Sequence, residues 1–154
     1  MAVIVGALLV IPPADARTFV VTTSVDTHDL VPGDGICGDN LGRCSLRAAM
    51  EEANTSGADT VLVGDTVSPI FLTLGPLDVT GTQMTIAGAT SPTVIDGRYN
   101  LPGTDNIVVR GEGCRIFNCV ITNSRRNGLL VMARNVTIGQ ANCSTIVAGN
   151  GAGD

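Results

Sequence analysis

The stretch that decides the fold is residues 107–150, IVVRGEGCRIFNCVITNSRRNGLLVMARNVTIGQANCSTIVAGN. Short apolar clusters alternate in it with Gly, Asn and Arg. The clusters are Ile107/Val109, Cys114/Ile116, Val120/Ile121, Leu129/Val131, Val136/Ile138 and Ile146/Val147. Each has the length and spacing of a short strand. Working toward the N-terminus, Leu77/Val79, Met84/Ile86 and Val94/Ile95 supply an earlier set of three, and Val61/Val63 and Leu72/Leu74 precede it. Leu77, Ile107 and Leu129 head one column, Met84, Cys114 and Val136 a second, and Val94, Val120 and Ile146 a third. The repeat length is about 22–30 residues. Self-similarity at such a period marks a solenoid. Each triplet reads as one turn of a three-sided coil whose columns stack into parallel sheets. The predicted fold is therefore all-β, a parallel β-helix occupying residues 61–154. A β-sandwich is the alternative, but its antiparallel hairpins demand no column repeat. One turn is longer than the rest, Asp96 to Asn106. Asp96, Asn123 and Asn150 follow the third column at a constant spacing of 27. Asn tolerates the left-handed backbone of such turns and can bond between coils.

Composition agrees. Among 154 residues there are 19 Gly, only 3 Phe and 1 Tyr, and no Trp. The β-branched residues Val, Ile and Thr dominate, as strands require. Lys is absent, which excludes a P-loop lysine or a Schiff-base nucleophile. The one histidine, His28, excludes His–His metal motifs and weakens any Ser–His hydrolase.

Residues 2–11 (AVIVGALLVI) are apolar without interruption, and Pro12-Pro13 and Ala14-Asp15-Ala16 follow. This pattern predicts a signal peptide over residues 1–16, with an A-x-A cleavage site and Arg17 as the first mature residue. The run is too short to span a bilayer, which takes about 20 residues. A buried core strand is the alternative, and the n-region lacks its positive charge. The expected location is secreted or cell-surface, with no membrane span in the mature chain. Cysteine usage fits export. Cys37 and Cys44 bracket a Gly/Asp/Asn loop and are predicted to form a disulfide. Of Cys114, Cys119 and Cys143 at most one pair can form, and no zinc spacing occurs.

One stretch reads as a helix, residues 45–54, within an N-terminal cap of residues 17–60. Ser45 is the predicted N-cap. Leu46, Ala49, Met50 and Ala53 make one apolar stripe, and Asn54 and Gly57 stop it. The segment Thr18-Phe19-Val20-Val21, Asp34-Gly35-Ile36-Cys37, Cys44-Ser45-Leu46-Arg47-Ala48-Ala49-Met50, Ala53-Asn54 and Gly57-Ala58-Asp59-Thr60-Val61 resembles the CSLREA domain over residues 18–63. That domain opens many exported bacterial proteins with the right-handed parallel β-helix (pectate-lyase-like) fold. The resemblance implies the same fold and export here. Ala48 departs from it, because the family has Glu there and would complete a capping box. A solenoid's first coil exposes its interior, and an amphipathic helix pinned by a disulfide can seal it. A catalytic cluster of Arg47, Glu51 and Glu52 is the alternative reading. Residues Asn135-Val136-Thr137-Ile138-Gly139 and Ile146-Val147-Ala148-Gly149-Asn150-Gly151 are similar to the IGG/GN coils of bacterial β-helix proteins. In those another strand follows, so the chain is expected to be the N-terminal part of a longer exported protein.

Candidate chemistry is sparse. Asp26, Asp29, Asp34, Asp39 and Asn40 are oxygen ligands of the kind Ca²⁺ takes, but they lack an EF-hand spacing and read as turn-formers. No metal and no cofactor are expected. The N-glycosylation triplets at Asn54, Asn135 and Asn142 read as chance. Charge is uneven: residues 17–97 carry −7 and residues 98–154 carry +3. The candidate binding residues are Asp96, Arg98, Asp105, Arg110, Arg125, Arg126 and Arg134. Guanidinium forks match carboxylates, so an anionic polysaccharide or a host or cell-surface glycan is the candidate partner. Nucleic acid is not expected of an acidic, exported chain poor in aromatics. Asp96, Arg98 and Asp105 on the long turn are the best candidates for lyase or hydrolase chemistry, yet no enzyme motif surrounds them, and fold alone is not activity. The leading expectation is a non-enzymatic structural or adhesive scaffold. The alternative is a polysaccharide-binding or polysaccharide-cleaving module.

Overall fold

A computed structural model describes residues 15–139 and 145–151. The apolar run of the expected signal peptide and Cys143 lie outside the described residues. The elements in chain order are β1 (Thr18–Val21), α1 (Leu46–Ser56), β2 (Thr60–Val63), β3 (Ile70–Phe71), β4 (Leu77–Val79), β5 (Thr85–Gly88), β6 (Thr93–Asp96), β7 (Ile107–Val109), β8 (Arg115–Phe117), β9 (Cys119–Thr122), β10 (Leu129–Val131), β11 (Thr137–Ile138) and β12 (Ile146–Ala148). The strands form three sheets, ordered β1-β2-β5-β8-β11, β10-β7-β4 and β12-β9-β6-β3. Every pairing is parallel. The chain is a three-sided parallel β-helix.

The registers follow the sequence columns. Leu77, Ile107 and Leu129 are partners in one sheet, and Val94, Val120 and Ile146 in another. In the third sheet the paired residues are Thr85, Arg115 and Thr137, each directly after Met84, Cys114 and Val136. Inward side chains therefore stack like on like. Phe19, Val61, Ile86 and Ile116 form one buried column, Leu77 and Ile107 another, and Ile70, Ile95 and Ile121 a third. Each fully buried Ile or Leu contributes roughly 1.5–3 kcal/mol of hydrophobic stabilisation. The columns end in Leu129, which is half-buried against the core, and in Ile138 and Val147, which are 40 % and 44 % exposed.

Turns are stacked too. Ala58, Gln83 and Asn135 take positive φ of 56–58°, and Gly113 takes 73°, each two residues before a strand of the five-stranded sheet. Their amides bond from coil to coil: Ala58 to Thr82 O, Gln83 to Glu112 O, and Gly113 to Arg134 O, at 2.7, 2.7 and 3.1 Å.

Two sequence expectations are corrected in detail, the helix bounds and one strand. The helix is Leu46–Ser56 rather than 45–54, because Ser45 is the N-cap outside it and Asn54 does not stop it. Asn54 instead turns its amide to the next coil, accepting from Thr80 N and Gly81 N, and Gly57 at φ 74° ends the helix. The cap region also holds β1, which is the first strand of the five-stranded sheet. Finally, the strand near residue 72 is Ile70–Phe71, not Leu72/Leu74, and Leu74 is exposed.

The cap works as its sequence suggests. Ser45 Oγ accepts from Ala48 N at 2.9 Å and donates to Thr27 O at 2.5 Å. Ala48 is fully buried, so the small side chain at this position serves packing. The stripe Leu46, Ala49, Met50 and Ala53 is buried in the core, with α1 against β1, β2 and β4. The Cys37–Cys44 disulfide is formed. Cys114 and Cys119 are buried and free.

Candidate functional site

The seven candidate residues fall on two sides of the sheet β10-β7-β4. Asp96 is the last residue of β6, Arg98 and Asp105 lie on the turn from it into β7, and Arg125 and Arg126 lie on the turn entering β10. Arg110 and Arg134 lie beyond the far ends of the same strands. The structure brings the first five together and leaves the other two apart.

Phe71, Asp96 and Thr122 are register partners on the outward face of neighbouring strands. Asp96 is only 2 % exposed. It receives Arg98 Nε at 2.9 Å, Arg98 N at 2.9 Å and Asn123 Nδ2 at 3.0 Å. Burial pushes the Asp96 carboxyl up, but the hydrogen bonds from Arg98 and Asn123 outweigh it and hold the group below its ordinary range. Asp96 in turn pushes Arg98 up. The Arg98 guanidinium lies 5.6 Å from the Phe71 ring centre, a cation–π contact. Phe71 and Tyr99 pair with centroids 5.4 Å apart, and Tyr99 is 62 % exposed. Arg125 Nη2 donates to Arg98 O at 3.0 Å. The result is an exposed strip of Tyr99, Arg98 and Arg125 on a buried Asp96.

Asp105 is buried and accepts from Asn127 N at 3.0 Å and Asn127 Nδ2 at 2.7 Å, with Arg126 Nε at 3.6 Å. Asn106 beside it packs so closely on the chain that a Cβ at Gly97 would stand 1.9 Å from its Oδ1. Arg110 pairs with Asp78 at 3.3 Å on open surface, a contact worth at most about 1 kcal/mol. Arg134 is exposed and makes no ion pair among the described residues.

The acid-rich loop is equally committed. Asp26 holds Arg47 and the amides of Thr73 and Leu74. Asp29 accepts from Val31 N and Gly38 N, and Asp34 from Ile36 N. Asp39 accepts from the side chain and backbone of Arg43, from Leu41 N and from Thr27, which keep its carboxyl far below the ordinary range. Glu52 receives Gly33 N and Gly35 N at 2.6 and 2.7 Å. Glu51 receives Asp29 N and His28 Nδ1. Arg47, Glu51 and Glu52 therefore tie the loop to the helix and do not form a joint cluster.

A separate groove of about 640 Å³ runs along the five-stranded sheet, lined by Gln83, Thr85, Arg115, Asn135 and Thr137 among others, with no carboxylate in its lining. Its lining residues lie along a different sheet from those the long turn connects, and sequence reasoning did not single it out. Phe71 was missed as a site residue as well, although it precedes Asp96 by one coil length.

The fold and this surface define a class: a three-sided parallel β-helix closed at one end by a disulfide-stapled helical cap. Compared with family models, curated proteins and solved structures, the chain has no match.

Proposed function

We propose that this chain is an exported β-helix scaffold of the CSLREA type, belonging to a cell-surface or secreted structural or adhesive protein, and that it is not itself an enzyme. The observation that carries the reading is the commitment of its carboxylates. A hydrolase of this kind needs two carboxyl groups across a substrate bond, one protonated and one ionised. Asp96 and Asp105, the best candidates, are buried under hydrogen bonds from their own coils and the next. A lyase needs acids that hold a cation against a substrate. Asp29, Asp34 and Glu52 of the cap converge within 4.8 Å, but each accepts backbone amides of the cap loop, and they lie in the cap rather than on the long turn. The disulfide fits an oxidising compartment. Among the described residues no helix is long and apolar enough to cross a membrane. The test is incubation with polyuronides, with and without calcium, while following ultraviolet absorbance. No unsaturated product is expected, and its release refutes the scaffold reading.

One observation favours a second reading, binding of an anionic polysaccharide without cleavage. Tyr99 offers an exposed ring beside Arg98, whose half-exposed guanidinium is paired with Asp96, and Arg125 lies against the Arg98 carbonyl. Retardation in gels containing polygalacturonate but not dextran supports this reading. It fails when Arg98→Ala/Arg125→Ala runs like the parent.

A further inference from the structure

We propose that removal of the leader after Ala16 creates an ion pair that locks the first coil: the new α-ammonium of Arg17 pairs with the buried carboxylate of Asp59. The inference rests on the export reading for the cleavage, and on geometry for the pairing.

Asp59 is completely buried, just ahead of β2. Its Oδ1 lies 2.7 Å from the backbone nitrogen of Arg17. Its Oδ2 accepts from Ser56 Oγ. No ion pair among the described residues involves it. A buried carboxylate with only one amide and one hydroxyl is short of a countercharge, and such groups are ordinarily paired. The atom already in contact with it is the nitrogen that the A-x-A site at residues 14–16 would release. Asp15, Ala16 and Arg17 are exposed and outside any strand, so the bond lies on open chain. Hydrolysis by water splits the Ala16–Arg17 amide, leaving a carboxylate on Ala16 and an amine on Arg17 that protonates. Arg17 does not move in the process, because Thr60 N holds its carbonyl at 2.8 Å.

Other charges near the pair are few. The Arg17 guanidinium lies over Gly35, where an added Cβ would meet Nη1 at 2.1 Å, and Glu52 holds the Gly35 amide. Asp34 adjoins that loop. From β2 and β5 the neighbours are Thr60 and Thr85, which are uncharged. An α-amino group ordinarily titrates near 7.7–8.0. Pairing with Asp59 raises that value in the folded state alone. The extra stability is then fully present below about pH 7.7 and lost as pH rises through the raised value.

The test compares the chain released to begin at Arg17 with one beginning at Ala16, which has the same net charge but an amine about 3.8 Å along the chain. The Arg17 form is expected to melt about 3–6 °C higher near pH 6.5. The gap should close by about pH 10 as the amine deprotonates. It should also vanish when both forms carry Asp59→Asn. Equal melting near pH 6.5, or a gap that survives high pH or Asp59→Asn, overturns the pairing. If Asp59→Asn does not fold, the pH dependence of the parent pair decides alone. The intact mass of protein exported by a secreting host tests the cleavage separately: a start at Arg17 supports it, and a start elsewhere overturns the processing step without touching the pairing measurement.

Discussion

Arg47→Met should unlatch the cap from the coil above it. Arg47 and Asp26 are the most thoroughly buried ion pair described, with side chains 7 % and 2 % exposed. Arg47 donates through Nε to Asp26 Oδ1 at 2.8 Å and through Nη2 to Oδ2 at 3.1 Å. It also donates to Gly75 O at 2.9 Å and Pro76 O at 3.0 Å. Asp26 reaches the same turn by accepting from Thr73 N and Leu74 N. One guanidinium and one carboxylate thus join the loop, α1 and the turn before β4. Met keeps the apolar stem, so little packing is lost. What remains is a buried carboxylate without its countercharge and two carbonyls without donors. Breaking a buried pair from one side costs about 3–5 kcal/mol. At about 2–4 °C per kcal/mol for a chain of this size, the melting temperature should fall by roughly 6–20 °C. Thermal melts by circular dichroism of the oxidised protein near pH 7 measure this. Adding Asp26→Asn removes the orphaned charge but keeps an oxygen for Thr73 and Leu74, so the double variant should recover a substantial part of the loss. A loss under about 1 kcal/mol for Arg47→Met, or a double variant no better than the single, refutes the reasoning.

Other outcomes follow from the same structure. Replacing Cys37 and Cys44 by Ser should cost about 2–3 kcal/mol in the chain-entropy account, because the bridge closes a short loop of about eight residues; denaturant midpoints measure it, and no change would sink the account. Cys119 is pushed up to about 11 by burial, so peptides carrying Cys114 and Cys119 should stay unlabelled by iodoacetamide at pH 8 in native protein and react on unfolding. Labelling within minutes in the native state contradicts the buried placement. Asp39, Asp65 and Asp96 are all held below their ordinary range, by Arg43, by Thr90 and Ser91, and, against burial, by Arg98 and Asn123. Their contribution is present above the unfolded carboxylate value near 3.9 and is lost as pH falls through the lower folded values. Stability should therefore decline only below about pH 4, and Asp65→Asn should flatten part of that decline. Ile116→Ala, at a fully buried column position, should cost about 2–5 kcal/mol; a loss under 1 kcal/mol contradicts the stacked core.

The strand columns were legible because parallel stacking places like residues in register. Leu77, Ile107 and Leu129 look alike in sequence because they occupy one environment on successive coils. The Ser45 cap and the Cys37–Cys44 bridge were legible because both are local. The constant spacing of 27 among Asp96, Asn123 and Asn150 was real but not the register. Asp96 pairs with Thr122, so Asn123 sits one residue beyond and reaches back diagonally to Asp96. The end of α1 was misread because Asn54 looks like a stop until the next coil supplies Thr80 N and Gly81 N. The Phe71–Arg98–Tyr99 strip was not legible either, since it depends on which faces of β3 and β6 turn outward. Nothing local in the sequence separates a buried Asp96 from an exposed one.

The acidity of the first coils has an architectural cause. Strand amides in a parallel stack find carbonyls on the neighbouring coil, but turn amides often find none, and a buried unpaired N–H costs about 1–3 kcal/mol. Here side-chain oxygens from the coil before fill that role: Asp26 for Thr73 and Leu74, Asn54 for Thr80 and Gly81, and Asp65 for Thr90 and Ser91. Carboxylates suit the task better than amides, because a charged acceptor makes the stronger bond. This accounting removes Asp26 and Asp65 from the pool of groups available for chemistry. The charged and aromatic side chains left facing solvent near the long turn are Arg98, Tyr99, Arg125 and Arg126. A guanidinium stays protonated at any physiological pH and so cannot move a proton as a base. It can hold a carboxylate, and an exposed ring beside it can stack on an apolar face. This is the physical ground on which the scaffold and binding proposals rest.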